Sequence, residues 1–154
     1  LFSFLTDDID ITVDATNLDG KIYQSKRENF IELGGELVAQ TSRGDILKIY
    51  EEKGDENRLR LCFETEKKNI IINQLEGICI ITEKNDVKQY IKQPFSIPYQ
   101  SDLTATQVTQ ILNNGTSYLT PLKESYLIHK PMLNAFNTHI SSILKKPVTV
   151  CPIT

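Results

Sequence analysis

The chain of 154 residues has no long apolar run; nothing in it approaches the ~20 consecutive apolar residues of a membrane-spanning helix. Its start, Leu1-Phe2-Ser3-Phe4-Leu5, is apolar but short and lacks a basic residue. It runs directly into Asp7, Asp8 and Asp10, so it does not read as a targeting peptide. Cysteine is scarce: Cys62, Cys79 and Cys151 are an odd number with no CxxC spacing. Cys62 and Cys79 lie inside strand-like runs, where a free thiol behaves as a small hydrophobe. The expectation is a reduced, intracellular protein, cytoplasmic or nuclear. Methionine occurs once, as Met132, and the first residue is Leu, from which we expect a piece of a longer protein.

The motifs of common chemistries are missing as well. No GxGxxG or GxxxxGK[ST] occurs, which disfavours nucleotide binding through a glycine-rich loop. Asn17-Leu18-Asp19-Gly20 has the middle of a calcium loop, but Ala15 and Lys26 stand where carboxylates are required, so a β-turn is expected. Asp7, Asp8, Asp10 and Asp14 are numerous enough to collect a cation, yet on a strand Asp8, Asp10 and Asp14 simply form a solvated face opposite Ile9, Ile11 and Val13. His129 and His139 have no partner at ligand spacing. Ser125, Ser141 and Ser142 lack a GxSxG context or an assignable base. No catalytic residue, metal ligand or cofactor is therefore assigned, and the reading leans away from an enzyme. The pair that would reverse it is His129 with Glu124, facing a deep pocket.

What is present divides the chain in two. Six of seven glycines (Gly20, Gly34, Gly35, Gly44, Gly54, Gly77) lie in the first half, and all six prolines lie at or beyond Pro94. Glycine serves tight turns, whereas proline suits extended segments and first helical turns. Alternating apolar positions predict strands over Ile9–Val13, Lys21–Gln24, Asn29–Leu33, Glu36–Gln40, Asp45–Glu51 and Arg58–Glu64, with Gly34-Gly35 as a hairpin turn. Asn69–Asn73 and Gly77–Thr82 are isoleucine runs that predict central strands covered on both faces. Val87–Ile91 and Pro94–Ile97 complete the series at the edge.

From Ser101 the period becomes helical. Ser101-Asp102 is expected to cap a helix to about Asn113, stopped by Asn114-Gly115. Thr120-Pro121 predicts a short helix to about Ile128, and Pro131 a separate, stronger one over Pro131–Lys146. There Leu133, Phe136, Ile140 and Leu144 are expected to fix the helix to the sheet. The predicted fold is α+β: an antiparallel β-sandwich or small barrel of seven or more short strands, followed by two or three C-terminal helices packed on it. One domain is expected over 1–154, with 1–98 mainly β and 99–154 mainly α.

Charge is unevenly spread. The net charge of −3 combines −5 over residues 1–20, zero over 21–100 and +2 over 101–154, and the last 54 residues hold only six charged side chains. Interfaces are depleted of charge at their centres. We therefore expect a non-catalytic protein–protein interaction domain of a larger intracellular protein, acting in a multi-subunit assembly. Its partner would be another subunit or another domain of the same protein, met by Asn134, Asn137, Thr138 and Ser141 on the exposed side of the last helix. The rival is a nucleic-acid-binding face of OB type, built from Lys48, Tyr50, Arg58, Arg60, Lys67 and Lys68 on one side of a sheet. Against it, Glu51, Glu52, Glu64 and Glu66 share that segment and the pI is about 5.4.

Overall fold

The structure, a computed structural model, describes residues 1–50 and 60–153, and of Asp86–Gln89 the backbone only. Its elements in chain order begin with α1 (Phe2–Thr6), β1 (Ile11–Asp14), β2 (Tyr23–Gln24), β3 (Ile31–Glu32), β4 (Glu36–Thr41) and β5 (Ile46–Tyr50). There follow β6 (Arg60–Glu64), β7 (Lys68–Asn73), β8 (Ile78–Glu83), β9 (Asp86–Pro94), α2 (Gln100–Asn114) and α3 (Leu122–Leu144). The fold is α+β, as expected, with more than seven short strands ahead of the two C-terminal helices. All strand pairs between these elements are antiparallel, and they form three open sheets, β1-β4-β5, β2-β3 and β6-β7-β8-β9. No barrel closes among the described residues, so the open, sandwich-like form of the expectation is the one that fits.

The chain divides into two compact units, Leu1–Glu52 with Thr120–Thr154, and Lys53–Leu119. In the first, alternation along β4 turns Leu37, Ala39 and Thr41 inward, and the register places Ile11 opposite Thr41 and Val13 opposite Ala39 on the same face. Ile11, Leu37, Ala39 and Thr41 are buried there. α3 packs on β1, and its Ile140 is the one fully buried large side chain among the described residues. The β4–β5 turn closes on Thr41, whose hydroxyl accepts from the Asp45 N–H (3.0 Å) and donates to Asp45 Oδ2 (3.0 Å), with Gly44 at φ 93°.

Gly34-Gly35 does not join a hairpin, because β3 pairs with β2 and β4 with β1 and β5. Instead Gly35, at φ 97°, lies against the Asn17–Asp19 turn, where the Asp19 N–H donates to the Gly34 carbonyl and the Glu36 N–H to the Asn17 carbonyl. The segment after α3 returns to this unit, and the Ile31 N–H donates to the Pro152 carbonyl at 3.0 Å in a parallel bridge.

The two helices predicted around Pro131 are one. α3 runs through Pro131, which costs the hydrogen bond to the carbonyl four residues back. Beyond Pro131, the apolar stripe Met132, Phe136, Ile140, Ile143 gives the helix its packing face. Leu133 and Leu144 are 42% and 43% exposed, so they do not fix the helix as expected. The helix ends at Leu144, with Lys145 as a left-handed cap at φ 52°.

In the second unit, β6–β9 form a four-stranded meander and α2 follows. β7 and β8 are central, but they are not covered on both faces: no described residue of the four strands is buried, and Ile71 is exposed. β9 ends at Pro94, so Pro94–Ile97 is no separate strand. α2 starts at Gln100 with Tyr99 as N-cap, placing Ser101 and Asp102 in its first turn rather than at the cap. Gly115 ends it in the left-handed conformation, as the sequence predicts.

Candidate interaction surfaces

The C-terminal half of α3 and the segment Pro147–Thr149 line a shallow, open groove. Asn134, Asn137, Thr138 and Ser141 all line it, because positions i, i+3, i+4 and i+7 share one helical face. They do not present equally. The Asn137 Nδ2 donates to the Thr149 carbonyl at 3.3 Å, and the Val148 N–H donates to Ser141 Oγ at 2.9 Å. Half of the expected contact set thus holds the returning chain, leaving Asn134 and Thr138 exposed. Asn137 Oδ1 is buried without a hydrogen-bond partner. Lys145 and Lys146 rim the groove, and no carboxylate lines it.

The basic residues of the rival reading do not share a sheet. Lys48 and Tyr50 stand on β5 in the first unit; Arg60 and Lys68 stand on β6 and β7 in the second, and Lys67 in the turn between those two strands. Arg58 lies outside the described residues. Lys68 is the cross-strand neighbour of Glu83 and pairs with it at 3.1 Å, and Lys84 pairs with Glu64 at 2.6 Å. Those pairs neutralise the sheet end that a phosphate backbone would have to approach.

The acidic start is taken up by turns. Asp8 accepts from the Asp10 N–H (2.9 Å) and the Ser42 hydroxyl (2.8 Å), and these bonds hold its carboxyl below the usual range, aided by Arg43. Asp14 accepts from the Thr16 N–H at 2.9 Å, with the same effect. Among the described residues no group of three or more His, Cys, Asp or Glu is placed to hold a metal ion.

His129 does not meet Glu124; its Nδ1 donates to the Ser125 carbonyl at 2.7 Å, one turn back along α3. The hydroxyls of Ser141 and Ser142 donate back to the carbonyls of Asn137 and His139. Cys62, Cys79 and Cys151 are free thiols. No described helix is long and apolar enough to cross a membrane.

Sequence reasoning underrated the second unit. α2 carries one charged residue, Asp102, in fifteen and buries none of its side chains. Its positions Ser101, Thr104, Ala105, Val108, Ile111 and Leu112 follow i, i+3, i+4, i+7 spacing, carry no charge and are all exposed. On the sheet, the register puts Leu61, Phe63, Ile70, Ile72, Ile81 and Ile91 on one face. All are half-buried except Ile91, which is 62% exposed. The signal in the sequence was the isoleucine density of Asn69–Thr82, which shows apolar faces but not whether anything covers them.

No protein-family model matches the chain, and no curated protein or solved structure matches it either.

Proposed function

We propose that this chain is a non-catalytic protein–protein interaction domain of a larger intracellular protein, acting in a multi-subunit assembly. The observation that carries the reading is exposed apolar surface: Ile46, Ile49, Tyr50, Ile91, Leu112 and Tyr118 are among the large side chains more than half exposed. Surface of that kind is stable in water when a partner covers it.

The charge-poor helices α2 and α3 supply the contact surface, α3 through the exposed Asn134 and Thr138. The test is sizing of the protein by light scattering in cell-like salt, together with a pull-down from the cells that make it. A specific complex of defined stoichiometry is the expected result. A monomer that retains no protein overturns the reading.

A further inference from the structure

We propose that Asn114 is a site of spontaneous self-modification: attack by the Gly115 main-chain nitrogen converts its side-chain amide to aspartyl and isoaspartyl forms. Of the ten asparagines in the chain, Asn114 alone is followed by glycine. Asparagine is a chemically labile side chain. Glycine has no Cβ to obstruct the ring that the attack must close. Both residues are exposed, so water and base reach them.

The reaction balances with water as its one co-reactant. Base removes the Gly115 N–H proton, and the nitrogen attacks Asn114 Cγ. The Cγ–Nδ2 bond breaks, and the amide nitrogen takes up a proton and leaves as ammonia. Water then opens the five-membered imide at either of its carbonyls, giving aspartate or isoaspartate. No group is oxidised or reduced.

The fold sets the rate. The nucleophile is the same N–H that caps α2: Gly115, left-handed at φ 70°, donates to the Ile111 carbonyl at 2.9 Å. While that bond holds, the nitrogen is engaged, so the reaction waits for the last turn to fray. That turn is weakly held. Ile111, Leu112, Asn113 and Asn114 are all exposed and α2 buries no side chain, the marks of a segment that opens locally. Asp19-Gly20 offers a contrast within the chain. There the Tyr23 hydroxyl holds Asp19 Oδ2 at 2.8 Å and His139 Nε2 holds the carbonyl at 2.9 Å, and a carboxylate has no ammonia to lose.

The product alters α2. Its last turn has no basic residue, so a new carboxylate meets the negative end of the helix dipole uncompensated. The isoaspartyl form also inserts a methylene into the main chain, which moves the Gly115 N–H out of register with Ile111. Conversion therefore unwinds the last turn. The reaction needs no partner, so it stands apart from the interaction-domain reading.

The experiment ages the full chain in neutral buffer at physiological temperature, beside the same chain in urea and the exposed-site variant Asn114→Gln. Intact mass and peptide mapping follow the reaction. The native chain is expected to gain one mass unit, mapped to Asn114 as paired aspartyl and isoaspartyl peptides, and to do so several-fold more slowly than in urea. The variant is expected to gain none over the same period, because glutamine would have to close a larger ring. Helical circular dichroism is expected to fall as Asn114 converts. A native chain that stays unchanged while the urea sample converts overturns the site, as does a gain that maps elsewhere or persists in the variant. Equal rates with and without urea overturn the Gly115–Ile111 bond as the gate, and full conversion with an unchanged spectrum overturns the effect on α2.

Discussion

The Nε2 of His139 donates a hydrogen bond to the main-chain carbonyl of Asp19 at 2.9 Å, across 120 residues of sequence. It ties the C-terminal half of α3 to the turn that Gly35 supports, and Tyr23 adds a second tie by donating from its hydroxyl to Asp19 Oδ2 at 2.8 Å. A half-buried carbonyl that loses its donor costs about 1–3 kcal/mol. His139→Phe is therefore expected to destabilise the fold by about 2 kcal/mol, and His139→Gln by less, because the amide keeps a donor. Urea unfolding of the two variants reads the difference; equal losses would show that ring packing, not the bond, matters.

Gly35 and Gly44 both have positive φ, yet their surroundings differ. A Cβ on Gly35 would sit 2.6 Å from the Asn17 carbonyl oxygen and 2.7 Å from the Asp19 nitrogen, whereas one on Gly44 meets nothing within 4 Å. Gly44→Ala should cost only the backbone strain, about 1 kcal/mol. Gly35→Ala adds displacement of the neighbouring main chain and should cost at least twice as much. Thermal melts of the two variants check the ratio.

Ile140 is fully buried at 0% exposure, beside Leu133 and Leu144 on the same helix that are not. Truncating a core isoleucine to alanine costs about 2–5 kcal/mol through lost transfer energy and the cavity left behind. Ile140→Ala is expected in that range. Leu133→Ala and Leu144→Ala should each stay below about 1.5 kcal/mol. Chemical denaturation of the three variants ranks them, and a large loss at Leu133 would contradict the assigned helix face.

Asp8, Asp14 and Glu64 have carboxyl groups held below their usual range, by N–H and hydroxyl donors at the two aspartates and by Lys84 at Glu64. A group depressed on folding adds stability that is complete above its unfolded value, about pH 4, and is lost as pH falls through the folded value. These three groups should therefore leave stability flat from pH 7 to 5 and lower it below about pH 4. Asp8→Asn is expected to flatten part of that acid limb. Glu64→Gln should do so only at low salt, because the Lys84 pair is exposed and screened. The urea midpoint followed against pH in both variants reads these slopes.

Element types were legible where a local rule governs them. Glu36–Thr41 alternates as a strand with one buried face, and Gly115 stops α2, because period-two burial and the left-handed cap depend only on neighbours in sequence. Pro131 was misleading. It predicts a helix start by its own geometry, but α3 begins at Leu122 and runs through it. Gly34-Gly35 misled in the same way, since its contact is with Asn17–Asp19, some sixteen residues back. Of the groove residues, the helical spacing of Asn134, Asn137, Thr138 and Ser141 was readable. The return of Val148 and Thr149 onto two of them was not, because it depends on where the following chain goes.

The sequence by itself determined the α+β class, the order of strands before helices, and the concentration of charge outside the last 54 residues, because periodicity and composition are local properties. Only the tertiary structure decided which apolar faces find a cover. β1 is covered by α3, a helix more than a hundred residues further along the chain. The isoleucine-rich face of β6–β9 keeps no buried residue among the described ones. Burial depends on a neighbour that hydrophobic patterning does not name.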